Sequence, residues 1–136
     1  MASDGPTAKA GGLRSPLGRA RGYGSAKDGV HHFWVQRVSA VALVPLSLWF
    51  VFSVAQLPVD SYGALKHWVS APTVAVMLVL FIPTLFYHSM LGVQVVIEDY
   101  VHSEGAKLAT LLVLKFAHAI AAAAGVFAVL LVALGK

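Results

Sequence analysis

The chain has 136 residues, of which 58% are hydrophobic and only 12% charged, and its mean hydropathy is +0.76. Soluble domains carry about 25% charged residues, so this chain has too little polar surface to face water on all sides. It contains no cysteine, which excludes disulfides, iron–sulfur clusters and thiolate metal sites within the chain. The net charge of +4 lies mainly near the N-terminus and gives no indication of nucleic-acid binding.

Residues 1–30 are predicted to form a flexible, basic, aqueous arm. This segment is rich in Gly, Ala, Ser and Arg and has too few apolar side chains to order itself. It has some likeness to a mitochondrial transit peptide, but its glycines and prolines disfavour the amphipathic helix of such a peptide. The remainder, residues 31–136, is predicted to form one transmembrane domain.

Three apolar segments in this domain are each long enough to cross a bilayer. Residues 38–59 and 71–97 contain no Asp, Glu, Lys or Arg, and in residues 108–135 the only charged residue is Lys115. Crossing about 30 Å of hydrocarbon takes roughly 20 residues. The sequence therefore predicts an all-α membrane protein with three transmembrane helices. The predicted spans are residues 34–57, 71–98 and 106–134.

The distribution of basic residues predicts the orientation of these helices. Most of the Lys and Arg residues precede or open the first span: Lys9, Arg14, Arg19, Arg21, Lys27 and Arg37. By the positive-inside rule, the N-terminus then lies on the cytoplasmic or matrix side. Three spans place the loop between the second and third spans on that inner side and the C-terminus outside.

A histidine lies deep within the second span. His88 is 11 residues before Asp99, which is near the inner boundary, so it lies about 16 Å deeper, close to mid-membrane. Gly92 follows one turn later on the same face and would leave a slot beside the imidazole for a flat macrocycle. Two interpretations are open: an axial ligand of haem iron, or a packing histidine that hydrogen-bonds within the bundle.

The third span carries a second intramembrane pair, Lys115 and His118. The loop near residue 103 is 15 residues from both His88 and His118, so antiparallel helices would place the two imidazoles at similar depth. His118 could be a second iron ligand, or the pair could meet haem propionates. Alternatively, Lys115 extends toward the interface and His118 hydrogen-bonds a neighbour.

Polar residues collect at the predicted inner boundary. Asp99 and Tyr100 end the second span, where a quinone headgroup could meet protons from the aqueous phase. A phenol can donate a hydrogen bond to a quinone carbonyl, and a carboxylate can relay protons. At the start of the first span lie His31 and Arg37; the arginine either only satisfies the positive-inside rule or pairs with Asp99. The simpler alternative is that all these groups merely mark helix ends in water.

Two motifs together resemble the hydrophobic membrane-anchor subunit of succinate dehydrogenase, that is, succinate–quinone oxidoreductase. GVHHFWVQR at residues 29–37 is similar to the family's Gly-Val-His followed by an arginine. HSMLGVQVVIEDY at residues 88–100 matches its His-x-x-x-Gly-x-x-x-x-x-x-Asp-Tyr in full spacing. The resemblance covers about residues 29–135. Where some relatives have Asp after Gly-Val-His, this chain has His32, which leaves a proton-handling role at that position open.

The resemblance implies a membrane subunit of the respiratory chain and tricarboxylic acid cycle, in the bacterial or mitochondrial inner membrane. A second three-helix cytochrome b subunit would form a bundle with this chain and share one haem b with it, His88 being the axial ligand here. Ubiquinone would bind beside an iron–sulfur subunit, with Tyr100 as hydrogen-bond donor supported by Asp99 and Arg37. Succinate oxidation would occur on a separate flavoprotein subunit. Further candidate cofactor contacts are Gly92, His31, Lys115 and His118.

Two other classes of protein remain as alternatives. One is a cytochrome b-type anchor of another quinone-linked enzyme, such as a fumarate reductase or a formate or hydrogen oxidoreductase. The other is a structural three-helix membrane protein. Formate- and hydrogen-type anchors typically carry more histidines within their spans, whereas only His88 and His118 lie deep here. The motif spacing favours the succinate dehydrogenase anchor.

Overall fold

The structure, a computed structural model, describes residues 28–58 and 61–135. Those residues contain four α-helices: α1 Asp28–Ala55, α2 Tyr62–Ser70, α3 Pro72–Tyr100 and α4 Glu104–Ala133. Three of them, α1, α3 and α4, are long and apolar enough to cross a membrane. The prediction of an all-helical membrane protein with three spans is therefore confirmed. Most of the predicted basic arm, residues 1–27, lies outside the described residues.

The long helices extend into the polar residues that flank the apolar segments. α1 begins at Asp28, six residues before the predicted span, so that both His31 and Arg37 are helical. A helix in lipid satisfies its own backbone hydrogen bonds and is favoured over any irregular chain until water is reached. α1 also continues through Pro45, and α3 continues through Pro83.

No helix is predicted between the first two spans, where the structure has the nine-residue helix α2. Ser61 caps it, because its hydroxyl accepts a hydrogen bond from the backbone N–H of Ala64 at 3.1 Å. The apolar residues Tyr62, Leu65 and Trp68 recur every three positions, which is a helical signal. That signal is short, and it is easily overlooked beside apolar runs of more than 20 residues.

The central element is α3, which packs against both α1 and α4. Within the described residues, α1 and α4 make no backbone contact with each other. The buried cluster of Ala75, Leu78 and Val129 lies at one end of the bundle, called here the α2 end, because α2 packs there against both α3 and α4. At the opposite end, the loop end, residues 101–103 join α3 to α4.

Aromatic side chains attach α1 to the α2 end. Trp49 of α1 stacks on Trp68 of α2 with ring centroids 6.1 Å apart, and Phe50 stacks on Phe81 of α3 at 4.9 Å. Elsewhere the spans expose most of their apolar surface. In the most apolar 18-residue stretch of each span, at most 22% is buried. The surfaces left open by the chain itself are therefore available to lipid or to other polypeptides.

Close packing of α3 and α4 depends on Gly125. A Cβ atom placed on Gly125 would lie 2.9 Å from Cγ2 of Ile82, closer than side chains tolerate without a shift. Ile82 is β-branched, so its χ1 angle is restricted in a helix and its Cγ2 has little freedom to move away. The small residue on α4 therefore allows the two backbones to approach, as is common between membrane helices.

We expect Gly125→Val to destabilise the bundle by about 1–3 kcal/mol, the usual cost of overpacking. The measurement is the thermal unfolding midpoint of the detergent-solubilised protein. Gly105→Val is the matched control, because a Cβ atom on Gly105 would meet nothing within 4 Å. Equal losses in the two variants would show that the contact with Ile82 is not the cause.

Candidate functional site

The predicted ligand His88 is held against α1 by a serine. Ser39 is only 7% exposed and is the one buried polar residue among those the structure describes. Its Oγ lies 2.9 Å from Nδ1 of the His88 imidazole and donates a hydrogen bond to the backbone carbonyl of Gln36 at 3.0 Å. The imidazole is thus half-buried and fixed at Nδ1. Within the described residues, Nε2 of His88 has no hydrogen-bond partner.

A cavity of about 370 Å³ lies beside the imidazole of His88. Its other lining residues follow one stripe of α1 at helical spacing: Phe33, Gln36, Arg37 and Ala40. The guanidinium of Arg37 lies over the ring of Phe33, 5.2 Å from its centroid. The structure therefore brings together His88, predicted for the haem site, and Arg37, a permanently charged cation predicted for the quinone site.

The face of α3 that carries His88 also carries Gly92 and Asp99. At about 100° per residue, these two lie only about 40° and 20° around the helix from His88. A Cβ atom placed on Gly92 would meet nothing within 4 Å, so the surface beside the imidazole is open. We call His88, Gly92 and Asp99 the His88 face. It runs about 16 Å along the helix toward the loop end.

Tyr100 and Asp99 end α3 in exposed positions. The side chain of Tyr100 is 78% exposed, and Asp99 is also classed among the exposed residues. Neither side chain makes a hydrogen bond or ion pair with another described residue. A phenol and a carboxylate are thus presented together at the loop end, free to meet groups from outside the chain.

Arg37 lies nearer to His88 than to Asp99 along the bundle. Because Ser39 contacts His88 and the helices are antiparallel, Arg37 is level with about Met90, roughly 13 Å from the level of Asp99. Among the described residues the single ion pair is Lys107 with Glu104, at 3.6 Å in the first turn of α4. The sequence left open a contact between Arg37 and Asp99. No such contact is present among the described residues.

Lys115 and His118 lie in a different groove, between α3 and α4. They line a cavity of about 360 Å³ with Phe86, Tyr87 and Met90, and it shares no residue with the cavity beside His88. His118 donates from Nδ1 to the carbonyl of Leu114 at 2.9 Å, and its ring meets Phe86 edge-on at 6.1 Å. The structure thus does not bring the two deep histidines together.

His31 lines a third cavity, of about 400 Å³, near the start of α1. Its neighbour His32 lines the same cavity and has a buried Nε2 without a hydrogen-bond partner among the described residues. On the α3 side, Gln94 donates to the carboxylate of Glu98 at 2.7 Å. None of these residues lines the cavity that holds Arg37 and His88, so His31 and Arg37 face different cavities.

Ser39 is the functional candidate that the sequence does not reveal. It is one of three serines in the first span, with Ser47 and Ser53, and nothing in the local sequence separates it from them. Its contact with His88 bridges 49 positions and depends on the register of two helices. Chemically, one imidazole with a free ring nitrogen can supply one ligand to a metal centre. No group of three or more candidate metal ligands occurs among the described residues.

Fold and site together define a multi-pass helical membrane protein with an intramembrane histidine beside an open face. Comparison with known families gives a match to the model for the succinate dehydrogenase/fumarate reductase transmembrane subunit, over residues 12–133. The chain belongs to this family, and the resemblance found in the sequence motifs is confirmed.

Individual relatives agree with the family assignment. The chain is 36% identical over 89 residues to the succinate dehydrogenase hydrophobic membrane anchor subunit of Rickettsia bellii, covering 65% of this chain and 71% of that protein. It is 34% identical over 110 residues to the subunit of the same name in Paracoccus denitrificans, covering 81% and 85%. It is 32% identical over 100 residues to the succinate dehydrogenase membrane anchor subunit of Reclinomonas americana, covering 65% of this chain and 77% of that protein.

Proposed function

We propose that this chain anchors a succinate dehydrogenase in the membrane, supplies His88 as one axial ligand of a shared haem b, and forms part of the ubiquinone site with Tyr100. Family membership supports the anchor role. The observation that supports the haem role is the fixed imidazole of His88, bound at Nδ1 by buried Ser39 and free at Nε2. The relatives' names favour succinate dehydrogenase over the fumarate reductase that the family description also includes.

The residues around His88 fit a haem that is completed by another polypeptide. The imidazole is half-buried, and Gly92 leaves open surface beside it on the same face. Arg37 would offset the charge of a propionate, since its guanidinium lines the same cavity as His88. When bound, the haem supplies a one-electron carrier within the membrane. Because this site has a single imidazole, any further protein ligand of the iron would come from the partner cytochrome b subunit.

Tyr100 and Asp99 would form this chain's part of the ubiquinone site. The Tyr100 hydroxyl would donate a hydrogen bond to a quinone carbonyl and so stabilise negative charge on that oxygen during reduction. The Asp99 carboxylate would pass protons from the aqueous phase to the quinone oxygens. Because Tyr100 is 78% exposed in the isolated chain, other walls of the pocket must come from the iron–sulfur and cytochrome b subunits.

The roles of the remaining candidate residues follow from their separate cavities. His118 lines a different cavity from His88, so the two imidazoles would not ligate the same iron. Lys115 is exposed on the same groove, and its long side chain would extend toward the interface. His31 lines a different cavity from Arg37, which favours a role apart from the haem.

The proposed haem ligand is tested by His88→Ala in the intact complex. We expect loss of the haem b absorbance spectrum or its conversion to a high-spin form, because iron would lose an axial ligand. His118→Ala is the matched control, since it removes the other deep imidazole. A normal spectrum in His88→Ala, or its loss only in His118→Ala, would place the ligand elsewhere.

The quinone role is tested by Tyr100→Phe. We expect succinate-dependent ubiquinone reduction to fall about tenfold, corresponding to ~1.4 kcal/mol of lost stabilisation. Oxidation of succinate with an artificial soluble acceptor should not change, because that reaction bypasses the quinone site. Tyr62→Phe is the control, since Tyr62 is equally exposed, at 78%, but lies at the α2 end. Unchanged quinone turnover in Tyr100→Phe would remove this hydroxyl from the mechanism.

The proposed orientation, with the loop end on the cytoplasmic or matrix side, is tested by cysteine labelling. The chain contains no cysteine, so single substitutions need no background changes. Ser103→Cys lies in the 101–103 loop and Lys66→Cys lies on α2, and both positions are exposed. A membrane-impermeant maleimide should label Ser103→Cys only from the inner side and Lys66→Cys only from the outer side. The reverse pattern would invert the orientation.

A further inference from the structure

Ser39 makes two hydrogen bonds, and their chemistry determines which ring nitrogen of His88 carries the proton. A serine hydroxyl has one proton to donate and lone pairs that accept. Its proton is directed to the backbone carbonyl of Gln36, at 3.0 Å, and a carbonyl oxygen can only accept. The same Oγ lies 2.9 Å from Nδ1 of His88. With the hydroxyl proton on the Gln36 carbonyl, Oγ accepts at its contact with His88, and Nδ1 is the protonated nitrogen.

A neutral imidazole that carries its proton on Nδ1 has a free lone pair on Nε2. This is the nitrogen without a partner among the described residues, and it is the one available to a metal ion. The hydrogen bonds from Nδ1–H to Ser39 and from Ser39 to the Gln36 carbonyl also fix the rotation of the ring, because together they link the imidazole to the backbone of α1. Metal-bound histidines commonly donate their second ring N–H in this way.

We propose that Ser39 is a positioning residue for the haem: it holds His88 as the Nδ1–H tautomer and presents Nε2 to the iron. This inference rests on the proposed function of His88 as a haem ligand and extends it to a residue of α1. The hydroxyl accepts a hydrogen bond from the ring and so strengthens the imidazole as an electron donor. A stronger donor stabilises ferric over ferrous iron, so Ser39 lowers the reduction potential of the haem.

The serine is suited to this role by its burial. Ser39 is only 7% exposed, so water cannot readily replace it as the acceptor of the hydrogen bond from Nδ1–H. Removal of the hydroxyl would leave the Nδ1–H of His88 without its acceptor and the ring free to rotate or to take the other tautomer. The effect should therefore appear in the haem itself and not only in the rate of the enzyme.

The test uses Ser39→Ala in the intact complex, with haem retention and haem midpoint potential as readouts. We expect haem to be retained about tenfold less tightly, the lower end of the range for lost outer partners of metal-bound histidine. We also expect the reduction equilibrium to move about threefold toward ferrous iron, seen as a more positive midpoint potential. Ser47→Ala, two turns away in the same helix, is the control and should leave both values unchanged.

A second pair of variants keeps the test decisive if Ser39→Ala assembles poorly. Ser39→Thr and Ser39→Val have nearly the same shape, but only threonine keeps a hydroxyl. The proposal requires Thr to retain the wild-type potential and Val to shift it. Equal potentials in the Thr and Val complexes, or a wild-type potential in Ser39→Ala, would overturn it.

Failure of this inference is distinguishable from failure of the proposed function. If His88 is not a haem ligand, His88→Ala and Ser39→Ala will both leave the haem spectrum and potential unchanged. If His88 is the ligand and Ser39 has no positioning role, His88→Ala will abolish the normal spectrum while Ser39→Ala matches the wild type. A shift in both variants supports both proposals.

Discussion

The arrangement of this chain depends on one constraint: α3 packs against both α1 and α4, while the backbones of α1 and α4 do not approach each other within the described residues. A three-helix bundle closed on itself would direct the polar residues of its spans into a common interior. Here the central helix instead leaves two open faces, one carrying His88 and the other bordered by Lys115 and His118. These polar side chains therefore face outward, toward other polypeptides that would complete the assembly.

This open arrangement agrees with the division of labour expected of an anchor subunit. A chain with a single imidazole on its exposed face can supply only part of a cofactor site. The same holds for Tyr100 and Asp99, which protrude from the end of α3 without partners of their own within the described residues. Each proposed site is only part of a site, and the rest would come from other subunits of a succinate dehydrogenase. Low burial of the spans is consistent with extensive contact outside the chain.

Much of the fold and part of the site could be predicted from the sequence, because those features depend on local spacing. Uninterrupted apolar runs indicated the three spans, and the four-residue spacing of His88 and Gly92 placed both on one helical face. Counting residues also gave the equal depth of His88 and His118, since depth depends on a rise of about 1.5 Å per residue. The residue count does not predict on which side of the bundle each histidine lies. His88 and His118 line different cavities.

Features that depend on the relation between helices could not be predicted. The pairing of Ser39 with His88 requires the register of α1 against α3, which the amino-acid order alone does not specify. Arg37 was assigned to the level of Asp99 because the apolar run begins just after it. The helix in fact starts at Asp28, so Arg37 lies nine residues along α1 and near His88. Helix α2 was missed because its short pattern is weak beside the long spans.

The short helix α2 also makes the bundle mechanically asymmetric. It contacts α3 and α4, and its Trp68 stacks on Trp49 of α1, so all three spans are tied together at that end. At the other end, no short helix among the described residues links α1 to the other spans, and Ser39 and His88 form a buried contact between α1 and α3. A small change in the angle between α1 and α3 at the α2 end would therefore produce its largest displacement at the N-terminal end of α1. Backbone hydrogen exchange in α1 should accordingly increase from Ala55 toward Asp28, where neighbouring subunits would restrain the motion.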